Sequence, residues 1–261
     1  MRLEITLNGL EKIILPFSYN HLLQGLIYTL LSPSLRKFLH NHGFTYEKRR
    51  FKLFCFSRLL GNFEVKDGAL LFNPPVRFYL SSPKKEIIES LAEGLLKKEN
   101  LFLGKNEIFI ETISVLPKPL FEKEIIIKML SPITIYSTLN KADGTKKTYY
   151  YSPFEEDFNR LIKENLKKKY FAVFNEELKK IDFKITPYKV SSSDEKVILY
   201  KKSDAKQTKP TVIKGWMGLY RLEADPKSAE LSYNCGLGAK NSLGFGMWER
   251  IKYWKHTSNK L

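Results

Sequence analysis

The stretch of this chain best equipped to hold a ligand lies near its end. It reads Gly236-Leu237-Gly238-Ala239-Lys240-Asn241-Ser242-Leu243-Gly244-Phe245-Gly246. Four glycines in eleven residues allow positive φ and close backbone approach. Exposed amides in such a loop can form an anion-binding concavity. Lys240, Asn241 and Ser242 add a cation and two hydrogen-bonding side chains at the tip. The string precedes an expected strand rather than following one, so it is not a dinucleotide fingerprint, and its spacing to the lysine is not that of a Walker-type loop. A turn that needs glycine only for packing is the competing reading of the same residues.

Other chemistries find no foothold. The histidines His21, His40, His42 and His256 and the cysteines Cys55 and Cys235 show no H-E-x-x-H or paired C-x-x-C spacing, so no metal or other cofactor is expected. No Gly-x-Ser-x-Gly elbow occurs either. Charge is more telling. Lys and Arg number 44 against 28 Asp and Glu, a net charge of +16. A folded protein this basic attracts polyanions, nucleic acid before all others. A lysine-rich surface that is merely solvated is the bland alternative. An anionic membrane fits less well, because no expected helix sets a basic face against a broad apolar one.

The 261 residues, 43% of them hydrophobic, can pack one large domain or two ordinary ones. The separated cysteines lie in apolar stretches, which suggests buried thiols in a reducing compartment. With no leader-like start and no apolar run of about 18 residues, the expectation is a soluble, cytoplasmic protein without membrane contact.

The element pattern is that of a repeated unit. Leu3, Ile5 and Leu7 alternate as in a half-buried strand. A helix follows, capped by Ser18 or Asn20, with Leu22, Leu23, Leu26, Ile27, Leu30 and Leu31 inward. Ser32-Pro33 opens a second short helix that ends near Gly43. Strands over 51–57 and 76–80 are expected, with Asp67-Gly68 as the turn between them. A helix over 84–98, built on Ile87, Ile88, Leu91, Ala92, Leu95 and Leu96, precedes a strand around 108–113. Leu116-Pro117-Lys118-Pro119 then reads as a linker. The second half predicts a strand at 125–130 and an irregular hairpin around Asp143-Gly144. A helix over 153–170 follows, with Phe154, Phe158, Leu161, Ile162 and Leu166 as its stripe. Strands at 182–188, 197–200 and 212–222, a helix at 226–234 and a strand at 245–253 complete it. The fold class is therefore α+β, two tandem ferredoxin-like βαββαβ domains, residues 1–117 and 122–261.

The string Gly236 to Met247 resembles the glycine-rich loop of the CRISPR-associated repeat-processing endoribonucleases, a branch of the RAMP superfamily. Tyr19-Asn20-His21, Leu23-Gln24-Gly25-Leu26-Ile27-Tyr28, Trp216 and Gly218 resemble that family too. The resemblance implies cleavage of a CRISPR repeat RNA without metal. The RNA's 2′-hydroxyl attacks the adjacent phosphate and leaves a 2′,3′-cyclic phosphate and a 5′-hydroxyl. The tyrosine, histidine and lysine of one pattern in the family fall on Tyr28, His40 and Lys52. The residues themselves are consistent with this. Tyr28 shares a polar helix face with His21, Gln24 and Gly25. His40 ends a helix, where the dipole favours an imidazolium, and an imidazole near neutrality moves protons. Lys52 can stabilise charge on the phosphorane-like transition state. His42 and the run Lys48, Arg49, Arg50 leave both assignments open to a neighbour.

RNA contact is expected from Lys48, Arg49, Arg50, Gly236, Gly238, Lys240, Asn241, Ser242 and Gly244. Arg58, Lys146, Lys147, Lys201 and Lys202 offer further phosphate contacts. His21 reads as a capping or packing residue and His256 as inert. Other CRISPR effector subunits and a second copy of the chain stand as further partners. The competing functions are a catalytically silent repeat-RNA-binding scaffold subunit and a basic protein of structured RNA.

Overall fold

The structure, a computed structural model, describes residues 1–98, 100–140, 144–178, 181–200 and 210–251. In the first half, β1 (Arg2–Asn8) leads through β2 (Ile13–Pro16) to α1 (Asn20–Leu30) and α2 (Pro33–Asn41). Then come β3 (Phe44–Tyr46), β4 (Arg49–Phe51), β5 (Cys55–Phe56), β6 (Phe63–Lys66), β7 (Ala69–Phe72) and β8 (Val76–Ser81). The half closes with α3 (Lys85–Lys97), β9 (Leu101–Leu103) and β10 (Asn106–Leu116). The main sheet has the order β5-β8-β1-β10-β9. Its first four strands carry the strand order of a βαββαβ unit, in which β1 sits between β8 and β10. The alternating Leu3, Ile5 and Leu7 point inward and are fully buried.

The second half repeats the plan with β11 (Glu124–Met129), the hairpin β12 (Tyr136–Asn140) and β13 (Lys146–Tyr150), and α4 (Glu156–Phe174). After β14 (Phe183–Lys189) comes a second hairpin, β15 (Glu195–Tyr200) and β16 (Thr211–Trp216). Then follow β17 (Leu219–Ala224), α5 (Pro226–Cys235) and β18 (Trp248–Arg250). The sheet order β14-β17-β11-β18 is the same permutation. The α+β class and the tandem ferredoxin-like reading therefore describe the molecule.

Several local expectations need correcting. Asp67-Gly68 does turn a hairpin, but it joins β6 to β7, and β7 pairs in turn with β2 in a separate three-stranded sheet. The strand expected over 51–57 is broken at Lys52–Phe54, where Leu53 has φ +54°. The strand over 212–222 is broken at Met217-Gly218, with Gly218 at φ +101°. Leu96 and Phe154, assigned inward, are 79% and 59% exposed. Neither Ser18 nor Asn20 caps α1. Ser18 Oγ instead accepts from the Leu199 amide and Asn20 Nδ2 donates to the Leu243 carbonyl, so both side chains reach the other domain. The last strand ends at Arg250; its expected continuation past 251, with His256, lies outside the described residues, as do Asp143, Lys201 and Lys202.

The two cores touch through a few deliberate crossings. Leu53, from the first half, is buried among Ile127, Phe158 and Leu237 of the second. Arg2 is fully enclosed over the Tyr233 ring at 3.4 Å and donates to the carbonyls of Trp248 and Tyr233. A cation so placed needs those acceptors to offset its desolvation. The halves thus have a fixed relation, and a cleft opens along their seam.

Candidate active site

One wall of the cleft is the polar face of α1. Burial of Leu23, Leu26, Ile27 and Leu30 turns Gln24 and Tyr28 toward the opening, one helical turn apart. Tyr28 rests edge-on against Phe54, ring centroids 5.9 Å apart. Burial, with a smaller contribution from Tyr200, pushes its hydroxyl up to about 12. Near neutrality Tyr28 is therefore a proton donor, not a base.

His40 and Lys52 arrive from α2 and from the break after β4. Pro33 starts α2 and Gly43, at φ +68°, ends it, which leaves His40 exposed in its last turn. His40 Nδ1 lies 2.7 Å from Asn41 Oδ1; with the proton on Nδ1, Nε2 is the nitrogen that can take up or release another. Lys52 Nζ donates to the His40 carbonyl at 3.0 Å, and Arg50 to the Asn41 carbonyl at 2.7 Å. Two cations thus satisfy the C-terminal carbonyls of α2. Burial, then Arg50, lower the Lys52 ammonium from the usual lysine range. The left-handed Leu53 makes this possible, because it sends its own side chain into the second core between the outward Lys52 and the inward Phe54. A non-glycine residue held at positive φ beside a cleft stores backbone strain at a candidate site.

Tyr28, His40 and Lys52 line one cleft of about 1010 Å³, together with Gln24, Arg36 and Tyr200. Lys240 and Ser242 of the glycine-rich loop border the same space. His42 does not; it stacks near Phe38, outside the lining. Arg49 and Arg50 line an adjoining cavity, while exposed Lys48 sits at the β3–β4 turn and borders neither. His21 packs edge-on against Tyr200, and its Nδ1 meets the Ser18 carbonyl.

The glycine-rich loop is largely interior. Gly236, Gly238, Asn241 and Gly244 are buried, while Ala239, Lys240, Ser242 and Leu243 are half-buried at its tip. A Cβ on Gly238, at φ +66°, would lie 2.3 Å from the Thr134 carbonyl oxygen. On Gly244, at φ +82°, it would lie 2.6 Å from the Phe56 ring. At both glycines the space a Cβ would need is therefore taken by protein. Asn241 Nδ2 is spent inside the loop, on the carbonyls of Leu237 and Phe245. Gln24 Nε2 donates to the Ser242 carbonyl, and the Tyr200 hydroxyl donates to Gln24 Oε1, so loop, α1 and β15 are bonded in one chain.

Sequence reasoning missed the loop's second anchor. Lys169 on α4 is enclosed, and its Nζ donates to the carbonyls of Gly236 and Gly238, each at 2.7 Å. Burial lowers its ammonium from the usual range. The signal was present: Asn165 and Lys169 fall on the stripe of Phe158, Ile162, Leu166 and Tyr170, where apolar residues belong. Among the described residues no three of His, Cys, Asp and Glu gather as metal ligands would, and no helix is long and apolar enough to cross a membrane.

Two ferredoxin-like domains with a glycine-rich loop pressed between them make a fold that solved structures share. A solved structure described as an RAMP protein binding different RNA substrates shares this fold, with a TM-score of 0.78 at 24% identity over 97% of this chain. Family models narrow the class. The one described as CRISPR associated protein Cas6, C-terminal, matches residues 113–250, and CRISPR-associated protein Cas6, N-terminal, matches 14–114. The chain belongs to the Cas6 family. CRISPR-associated endoribonuclease Cas6 1 of Methanocaldococcus jannaschii is 32% identical over 267 residues, which span 100% of this chain and 97% of that protein. CRISPR-associated endoribonuclease Cas6 of Pyrococcus furiosus is 28% identical over 89% of this chain and 82% of its own. A solved CRISPR associated protein Cas6 superposes with a TM-score of 0.78 at 31% identity, covering 97% of this chain and 99% of the other.

Proposed function

We propose that this protein is an endoribonuclease that binds a CRISPR repeat RNA and cuts it without a metal ion. The observation that carries the reading is the convergence of Tyr28, His40 and Lys52 in one cleft whose other lip bears Lys240 and Ser242. Relatives named as CRISPR-associated endoribonucleases support the activity class.

The reaction is a transesterification. The 2′-oxygen of one nucleotide forms a bond to its 3′-phosphorus as the bond from phosphorus to the next 5′-oxygen breaks. The 2′-hydroxyl gives up a proton and the leaving oxygen gains one. His40 supplies the imidazole for one or both transfers. Tyr28, protonated across the working range, donates a hydrogen bond to a phosphoryl oxygen, and Lys52 offsets the charge that builds there. Arg49, Arg50 and Lys240 hold flanking phosphates, with Lys48 farther out, so affinity falls as salt rises.

The test is incubation with the repeat RNA of the host in excess EDTA, with analysis of the product ends. A 2′,3′-cyclic phosphate and a 5′-hydroxyl are expected. Tight binding without any cut would make the chain a scaffold subunit. Dependence on added magnesium would refute the mechanism.

A further inference from the structure

Of the two polar residues on the buried stripe of α4, Lys169 is explained by the carbonyls it holds, and Asn165 is not. Asn165 is 7% exposed, and its Oδ1 is enclosed with no hydrogen-bond partner among the described residues. A buried acceptor left unpaired works against folding, so natural proteins seldom keep one without a use. Asn165 also stands at a junction. It lines the interdomain cavity of about 360 Å³, which shares Lys52, Lys240 and Ser242 with the larger cleft. It lines as well a neighbouring cavity of about 480 Å³, joined to the first at Arg49 and Tyr136. The cleft at Lys52 and the cavity at Asn165 therefore border one another at Lys52, Lys240 and Ser242. Both cavities fall within the range of about 300–1,000 Å³ usual for small-molecule sites.

We propose that this interdomain cavity takes one unpaired nucleobase of the bound RNA and that the Asn165 amide reads its hydrogen-bonding edge. Turned about its side-chain torsions into the cavity it lines, the Asn165 amide would present an acceptor and a donor side by side, the complement of a base edge. Single-stranded RNA is recognised by such edges once its bases are splayed apart. Arg49 stands over the same cavity to meet a phosphate, and Tyr136 forms a wall fixed by Lys240 at 4.8 Å and Tyr150 at 5.6 Å. Asn165 is thus a specificity residue away from the cutting groups. The inference rests on the reading of the chain as an RNA endonuclease.

The experiment measures affinity for a set of repeat RNAs, each with one abasic nucleotide, using wild type and Asn165→Ala. Wild type should lose about tenfold in affinity at one position near the cut, the worth of a good amide–base pair. Asn165→Ala should be weakened by a similar factor on the intact RNA and be indifferent to the base at that position. Losses that multiply at every position, or wild-type affinity in the variant, would overturn the proposal. Since Oδ1 makes no bond, the variant should melt close to wild type; if alanine leaves a damaging void, Asn165→Leu restores the volume. Early melting of both would make Asn165 a core residue and end the proposal. A wild-type protein that neither binds nor cuts the intact RNA would instead bring down the underlying reading, and this one with it.

Discussion

On the N-terminal wall of the cleft, His40 is exposed and Lys52 and Tyr28 are half-open; His40 meets Asn41, Lys52 donates to the His40 carbonyl, and Tyr28 rests on Phe54. On the C-terminal wall, Gly236, Gly238, Asn241 and Gly244 are buried; a carbon added to Gly238 would meet the Thr134 backbone carbonyl, and one on Gly236 or Gly244 would meet the Asn241 side chain or the Phe56 ring. The contrast teaches where chemistry and geometry reside. The first wall carries groups whose removal should leave the protein folded. The second carries groups whose removal reshapes the cleft itself.

The largest expected effect breaks the first wall without touching the second. His40→Ala should slow single-turnover cleavage by about 10²- to 10⁴-fold, the worth of one acid–base group. RNA affinity and the melting temperature should stay near wild type, and a fall in either would deny the separation. Gly238→Val is the converse. A branched side chain at φ +66° facing a carbonyl at 2.3 Å should cost about 3 kcal/mol or more, read as a shifted denaturant midpoint. If the variant is as stable as wild type and binds RNA poorly, the loop is a phosphate cradle after all.

Lys169→Met sharpens the same point. It leaves the carbonyls of Gly236 and Gly238 without a donor and should cost about 2–3 kcal/mol. Lys168→Met, on the half-open face of the same helix, should cost less than about 0.5 kcal/mol.

Much of this was legible in the sequence. Period-two alternation at Leu3, Ile5 and Leu7 and the helical stripes of α1, α3 and α4 are local signals, and they define the tandem plan. The breaks were not legible. Leu53 adopts positive φ because two cores compete for neighbouring side chains, and no local propensity encodes that competition. Ser18 and Asn20 have the chemistry of helix caps, yet long-range partners at Leu199 and Leu243 claim them. The glycine pattern was visible as a need for positive φ, but not what would approach the backbone. Lys169 was hidden by its company, one lysine among Lys167, Lys168 and Lys169, and only its helical phase sets it apart.

Two smaller effects refine the first wall. Tyr28→Phe should slow cleavage about 10- to 100-fold, the loss of a hydrogen bond to a charged group. The factor should be constant between about pH 6 and 9, because the hydroxyl is raised to about 12 and stays protonated there. The linkage has the same sign: the raised value favours folding below the ordinary tyrosine range, and that contribution fades as pH climbs toward 12. A factor that varies through neutrality would mean Tyr28 serves as a base. Arg49→Ala should weaken binding by less than about tenfold and lower the salt slope of log K by about 0.7, one phosphate contact to a single strand. An unchanged slope would remove Arg49 from the RNA path.

The central claim is that the RNA supplies its own nucleophile. It is tested most directly by a repeat RNA with a single 2′-deoxy nucleotide immediately 5′ of the cut, assayed in EDTA under single-turnover conditions beside the all-ribose RNA. The deoxy substrate should bind with wild-type affinity and remain whole while the ribose substrate is cut. Efficient cleavage of the deoxy substrate would contradict the account, since attack would then come from water or a protein group.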